Sequence, residues 1–392
     1  MSQGENSSVK IIIINPFGIG DVLFTTPIIR AIKDRHPDSF IGYWSNERVG
    51  ELLKDSPRID KVFALSRGDI KRIYKNSPIK RLSALFKLIN EIRKEKFDIA
   101  FDFSLDSRYG LWSKLAGIKK RIGLDYKGRG RFLTDKIALK AYAGKHVIEH
   151  DLDLLKFINI EPRCKSPDLV ASEKDKAKAR GILKEYGVAT TDILIGVAPG
   201  GGASWGKDAI YKQWSAEKFA EVVSALGKNN VTVVLLGSVE DKEIAEIVRG
   251  RGQTQSAHNR RVGSDPIPLG SDPIPPIIDL TGKLNLKELA AIISELKLLI
   301  CNDGGPLHMA VALGVKTVSM FGPVDEKVYG SYPSSEKHIV VKKDLSCRPC
   351  YKDFKFTGCS NNRKCLKDIT VDEVYGQVKG LLLPCGARND ES

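Results

Sequence analysis

Three short stretches of this chain set ionisable side chains beside glycines, where a bare backbone can approach an anion. The first is Asn302-Asp303-Gly304-Gly305-Pro306-Leu307-His308. It follows the apolar run 298–301, which reads as a buried parallel strand. Two glycines allow close approach of the main chain, and Pro306 suits the first turn of a helix. Gly314 fits the stop of that helix, and 315–321 reads as the next strand. A glycine loop and a helix start at the carboxyl end of a parallel strand favour a phosphate. His308 lies in that first turn and would meet the same ligand. A plainer reading also stands here, in which Asp303 caps the helix and His308 bonds locally.

The second stretch runs from Ala198 to Ser215 and holds Pro199-Gly200-Gly201-Gly202, Ser204, Lys207, Lys212 and Trp214. Gly201, Gly202 and Ser204 could cradle phosphate oxygens, and Lys207 and Lys212 are both available as ammonium partners. Trp214 is expected to pack against a sheet. The third stretch, Gly18-Ile19-Gly20-Asp21, follows the apolar strand 9–15. A nicotinamide fingerprint fails there, because Leu23 stands where the third glycine belongs. Asp21 is either an N-cap or a general base held by rigid, glycine-flanked backbone.

These stretches need a frame of strands and helices. Apolar runs at 9–15, 40–44, 61–65 and 97–103 alternate with helical segments near 22–36 and 79–94. The polar stretches 66–78 and 123–145 read as loops at a substrate mouth. A second βα alternation begins at 193–199 and continues through 231–236, 277–280 and 298–301. Residues 251–276, with Gly-Ser-Asp-Pro-Ile-Pro at 263–268 and again at 270–275, read as a surface loop. Thr370 and Glu373 make a capping box for a last helix near 370–382. The expected class is α/β: two Rossmann-like halves, 1–165 and 166–345, a cleft between them, and a tail 346–392.

The chain has 392 residues, 42% of them hydrophobic, and a formal charge of +14. That basic balance favours anionic partners, and the absence of a basic arm with interleaved aromatics argues against nucleic acid. Neither a secretory signal nor an 18-residue apolar span is visible. A soluble, cytoplasmic protein is expected, peripheral to a membrane. Cys347, Cys350, Cys359 and Cys365 have the spacing Cys-x2-Cys-x8-Cys-x5-Cys. A structural metal, a reduced or bridged knot, and unconnected thiols all remain open for them. None of the three implies catalysis.

Four blocks in order resemble glycosyltransferase family 9, the ADP-heptose:lipopolysaccharide heptosyltransferase family. They are Gly20-Asp21-Val22-Leu23-Phe24-Thr25-Thr26-Pro27, the 199–202 glycine loop with Lys212-Gln213-Trp214, Leu280–Leu286, and Asp303–His308 with Phe321-Gly322-Pro323. The resemblance covers about 9 to 380 and implies a GT-B fold whose second domain holds the donor and whose last helix returns to the first. It implies inverting, metal-independent transfer from a nucleotide sugar, ADP-heptose, which is a substrate, so no cofactor is expected. The acceptor would be an anionic, lipid-linked saccharide such as lipopolysaccharide core, met at the inner face of the inner membrane.

By that resemblance Asp21 is the base, with Gly18 and Gly20 in the acceptor-side loop. Lys212 neutralises the leaving diphosphate with backbone N–H groups of 303–308, including Gly304 and Gly305. Asp303 and His308 touch sugar and phosphate, Glu240 the ribose, and Thr281 to Leu284 the base. Gly304 stands where the family has Thr or Ser, Ser215 where it has Pro, and Asn15 where it often has Arg. A nucleotide-sugar epimerase of the same architecture and a non-catalytic nucleotide-sugar or saccharide-binding protein are the alternative readings.

Overall fold

The computed structural model describes residues 8–254, 261–262, 265–266 and 275–382, with residues 203, 204, 228, 251–254 and 261–266 by backbone alone where described. The chain divides between Val170 and Ala171 into two compact units, each built on one sheet. In the first unit the strands are β1 (Lys10–Ile14), β2 (Phe40–Ser45), β3 (Lys61–Ala64), β4 (Ile99–Asp102), β5 (Lys120–Tyr126) and β6 (Asp135–Leu139). They form one parallel sheet in the order β3-β2-β1-β4-β5-β6. The isoleucines of β1 are buried because helices cover both faces of a parallel sheet.

The second unit repeats the plan. Its strands are β7 (Ile193–Ala198), β8 (Val231–Leu235), β11 (Ile277–Asp279), β12 (Leu298–Asn302), β13 (Lys316–Phe321) and β14 (His338–Lys342). Between β8 and β11 the short β9 (Arg261–Val262) and β10 (Asp265–Pro266) pair with each other. The main sheet runs β11-β8-β7-β12-β13-β14, all parallel. Counted within its own unit, each sheet has the order 3-2-1-4-5-6. That order reverses direction between its first and fourth strands, where such sheets open a crevice at their carboxyl ends. β1 and β4 flank the switch point of one sheet, and β7 and β12 that of the other.

Several expectations need correction. The helix expected over 22–36 is two helices, Ile19–Phe24 and Thr26–Arg35. Pro27 has no N–H for the Leu23 carbonyl, and the hydroxyls of Thr25 and Thr26 take the Val22 and Leu23 carbonyls instead, each at 2.7 Å. The stretch 66–78 is not a loop, for it contains helix Arg67–Ile73, capped by Ser66 and Asp69. Nor is 123–145, which holds most of β5 and all of β6. Charged residues on this half-exposed edge, such as the pair Asp125–Lys136 at 2.7 Å, mask its strand pattern. The 263–275 duplication falls almost wholly outside the described residues.

The capping box of the last helix, Val371–Leu382, is present: Glu373 accepts from the Thr370 N–H at 2.7 Å. Within the second unit this helix packs on helix Ala216–Leu226 and the sheet, burying Val374 and Val378. The Tyr375 hydroxyl donates to the Ala225 carbonyl at 3.1 Å.

Gly42 in β2 shows how closely the first sheet is covered. A Cβ there would stand 2.4 Å from Cζ of the buried Phe97 ring. Gly42→Ala is expected to cost about 1–3 kcal/mol through overpacking. The check is the urea midpoint, and an unmoved midpoint would show that the ring has room to yield.

Candidate functional site

In the second unit, the loops after β7 and β12 are tied together by one buried side chain. Asn302 ends β12 and is 2% exposed. Its Oδ1 accepts from the Trp214 N–H at 3.0 Å, and its Nδ2 donates to the carbonyls of Pro199, at 2.7 Å, and Gly200, at 3.2 Å. The amide thereby meets the start and end of the 199–214 loop at once. Trp214 is buried as expected, with its Nε1 donating to the Ile369 carbonyl at 3.2 Å.

The next residue, Asp303, meets the lysine from that loop. Lys212 Nζ lies 2.7 Å from Asp303 Oδ2, with both side chains more than nine-tenths buried. The pair is held by charge rather than by an aligned hydrogen bond, for Oδ2 has no hydrogen-bond partner among the described residues. Lys207, the other ammonium considered, is exposed. His308 Nε2 lies 3.9 Å from Asp303 Oδ1. Burial, and then the Lys212 charge, lower His308 to about 4 against the opposing pull of Asp303, so its ring is neutral near pH 7.

The glycines line this group. A Cβ on Gly202 would lie 3.7 Å from Lys212 Nζ, and one on Gly304 would lie 3.7 Å from the Gly202 N. Gly202 has φ +31, a left-handed conformation that favours glycine. Gly304 is extended, with only ordinary contacts around the added atom, so its backbone admits Ser or Thr. Gly304 and Gly305 open helix Gly305–Ala312, with Pro306 in its first turn. Gly201 is fixed by space, as a Cβ there would stand 2.7 Å from Gln213 Cγ.

Other expected donor residues lie at more varied places. Thr281 follows β11, and its Oγ1 is buried with no hydrogen-bond partner among the described residues. Leu284 is half-buried. Glu240 is exposed in the short turn Val239–Asp241. Its neighbour Asp241 is the more enclosed, accepting from the Ser238 N–H at 2.8 Å and filling the space beside Gly200. The Ser204 side chain lies outside the described residues.

Asp21 belongs to the first unit, at the turn after β1. Its carboxylate accepts from the Gly18 N–H at 3.2 Å, and its carbonyl accepts from Asn15 Nδ2 at 2.9 Å. Gly20 lies in the same first turn of helix Ile19–Phe24. Asp21 is exposed, whereas Asp151, on helix Val147–Leu152, is buried. Burial, and then the Asp21 charge, push Asp151 well above the carboxylate range. The two carboxyls therefore differ in setting, one exposed at the turn after β1 and one buried, where burial favours the protonated form. Asp151 escaped notice in the sequence, where it stands between Glu149 and Asp153 with nothing to mark it as the buried acid of the three.

Cys347, Cys350, Cys359 and Cys365 are free thiols. They share one neighbourhood: burial, followed by Cys347 and Cys359, pushes the Cys350 thiol up. Among the described residues no group of three or more His, Cys, Asp or Glu could hold a metal ion.

The sequence profile of glycosyltransferase family 9 (heptosyltransferase) matches residues 85–360. Lipopolysaccharide heptosyltransferase 3 of Escherichia coli is 25% identical over 311 residues, 78% of this chain and 81% of its own. A solved structure of a family 9 glycosyl transferase from Veillonella parvula superposes with a TM-score of 0.77 at 24% identity, covering 97% of this chain and 99% of that one. The Escherichia coli heptosyltransferase WaaC with ADP superposes with a TM-score of 0.67 at 15% identity, covering 95% and 100%. The fold shared with these structures is GT-B.

Two tests follow from the geometry. Asn302→Ala leaves the Trp214 N–H and two carbonyls unpaired and should cost about 2–3 kcal/mol. Asn302→Asp, which sets a carboxylate against both carbonyls, should do no better. Denaturant unfolding reads both, and wild-type stability in either would remove Asn302 as the tie. His308 titrates near 4 when folded against 6.5 ordinarily, so the unfolded chain takes the proton first as pH falls. Its contribution is complete above about pH 6.5 and declines towards pH 4, on the order of 2 kcal/mol by pH 5. His308→Gln should flatten that part of the stability–pH curve relative to wild type. An equally steep curve in the variant would contradict the burial effect.

Proposed function

We propose that this chain, which belongs to glycosyltransferase family 9, moves heptose from ADP-heptose onto a lipopolysaccharide core or a related lipid-linked saccharide. The observation that carries the donor half is the buried Lys212 ammonium, set beside Gly202 and the Asp303 carboxylate at the carboxyl ends of β7 and β12. A buried cation against bare backbone and a helix start suits a diphosphate. The ADP in the WaaC structure supports the nucleotide named, as do the heptosyltransferases among the relatives.

In this reading the acceptor hydroxyl attacks the anomeric carbon while the bond to the diphosphate oxygen breaks. The sugar passes through an oxocarbenium-like state, and negative charge grows on the departing phosphate. Lys212 exchanges Asp303 for that phosphate, and the N–H groups opening helix Gly305–Ala312 share the charge. The scheme is metal-independent, because Lys212 supplies the positive charge. Neutral His308 hydrogen-bonds to sugar or phosphate without adding charge. Asp21 takes the hydroxyl proton. Thr281, with its buried unpaired hydroxyl, and Leu284 border the adenine, and Glu240 the ribose. The first unit takes the acceptor and the second the donor.

Helix Pro78–Glu95 supports a peripheral membrane site. Ile79, Leu82 and Phe86 are exposed on it among Lys80, Arg81 and Lys87. Apolar side chains flanked by cations suit an anionic lipid surface. Among the described residues no helix is long and apolar enough to cross a membrane.

The test has two parts. ADP should raise the melting temperature of wild type and of Asp21→Asn alike, and raise that of Lys212→Met far less. With ADP-heptose and a lipopolysaccharide-core acceptor, Asp21→Asn should lose at least about a hundredfold in turnover, the scale of general base catalysis. Full turnover by Asp21→Asn would end the base assignment, and indifference of the wild type to ADP would end the donor assignment.

A further inference from the structure

Lys212 has a second neighbour that the donor reading leaves unused. Its Nζ lies 5.0 Å from the centroid of the Trp205 ring. A ring face attracts a cation without neutralising it. The Asp303 carboxylate, 2.7 Å from the same nitrogen, does neutralise it, so ring and carboxylate act on the ammonium in different ways. Only the ring leaves the full charge available to an arriving anion.

Trp205 is in turn held by a part of the chain that has no other assigned role. β15 (Tyr351–Lys352) and β16 (Lys355–Phe356) form a small antiparallel hairpin in which Tyr351 pairs with Phe356. The Trp205 ring lies 5.2 Å from each of those two rings. Tyr211, the residue before Lys212, lies 4.8 Å from Phe356. One hairpin thus touches the turn that bears Lys212 at two points, Trp205 and Tyr211.

The hairpin is itself anchored. The N–H groups of Cys350 and Tyr351 donate to the Pro323 carbonyl at 2.9 and 3.0 Å. Arg348 donates to the carbonyls of Gly322, Val324 and Lys343. Past the hairpin, Arg363 donates to the Ile210 carbonyl at 2.9 Å. The segment carrying the four cysteines therefore spans from the loop after β13 to the turn that bears Lys212.

We infer that Trp205 is a positioning residue for Lys212, and that the hairpin within the cysteine segment serves the donor site by fixing Trp205. The inference rests on the proposed pairing of Lys212 with the donor diphosphate. Trp205→Leu keeps apolar bulk but removes the ring face, whereas Trp205→Phe keeps a face.

The experiment is a double-mutant cycle on ADP affinity, measured by titration calorimetry with the full chain. Trp205→Leu should weaken ADP binding about tenfold, the scale of a desolvated cation–ring contact, and Trp205→Phe should recover most of it. In a Lys212→Met background Trp205→Leu should cause little further loss, because its effect passes through the ammonium. Phe356→Leu, which leaves both residues in place, should give a smaller loss that also vanishes in that background. It serves as the probe should Trp205→Leu not fold. A purely structural role predicts the same loss with or without Lys212, and that additivity would overturn the inference. So would wild-type ADP affinity in Trp205→Leu when Lys212→Met binds weakly. Wild-type affinity in Lys212→Met would instead overturn the donor reading, and this inference with it.

Discussion

The Asn302 amide is the interaction on which the geometry around Lys212 and Asp303 depends. A parallel sheet can bring two strand ends side by side, but the loops beyond them are free to part. Asn302 prevents this, with its Oδ1 on the Trp214 N–H and its Nδ2 on the Pro199 and Gly200 carbonyls. A primary amide offers acceptor and donor on one short, planar group at any pH. Once the loop is pinned at both ends, its interior is bounded, and Lys212 has little choice but to face Asp303.

That confinement explains how a buried ion pair can persist where it does. Removing two charges from water usually costs as much as their attraction returns, and burial alone would not keep such a pair. Here the Asn302 tie and the close-packed Gly201 hold the loop so that both charges stay more than nine-tenths buried. The pair is under-satisfied, with Asp303 Oδ2 lacking an aligned donor. The same burial that confines the lysine keeps His308 uncharged, so the local field has one cation rather than two.

Much of the frame was legible in the sequence. The strands under both glycine loops are short runs of β-branched and leucine residues, and burial on two faces demands such runs. Gly202 and the Asp303-Gly304-Gly305-Pro306 turn could be read because glycine and proline act through the backbone. The groups that organise the site were harder to see. Asn302 looked like ordinary turn chemistry, since its partners lie about a hundred residues upstream. Trp205 and the hairpin rings meet only in three dimensions, and nothing in their spacing predicts contact. Asp151 was hidden because a buried acid is recognised by its surroundings, not by its neighbours in sequence. The division of Lys207 from Lys212 likewise depends on where the 203–212 turn points each side chain. The edge strands β6 and β14 were missed because edges tolerate charge and lack a full apolar run.

The placement of the last helix has a consequence for biosynthesis. Helix Val371–Leu382 supplies Val374 and Val378 to the core of the second unit, and the Ile369 carbonyl receives both Trp214 Nε1 and Lys218 Nζ. The first unit draws its core from residues made early and can fold while the ribosome is still translating. The second draws Ile369, Val374 and Val378 into the core around Trp214, so that core is completed only when the end of the chain has been made. A nascent chain stalled before that point would lack the side chains that complete the core of the second unit, and would expose apolar surface of the kind chaperones bind.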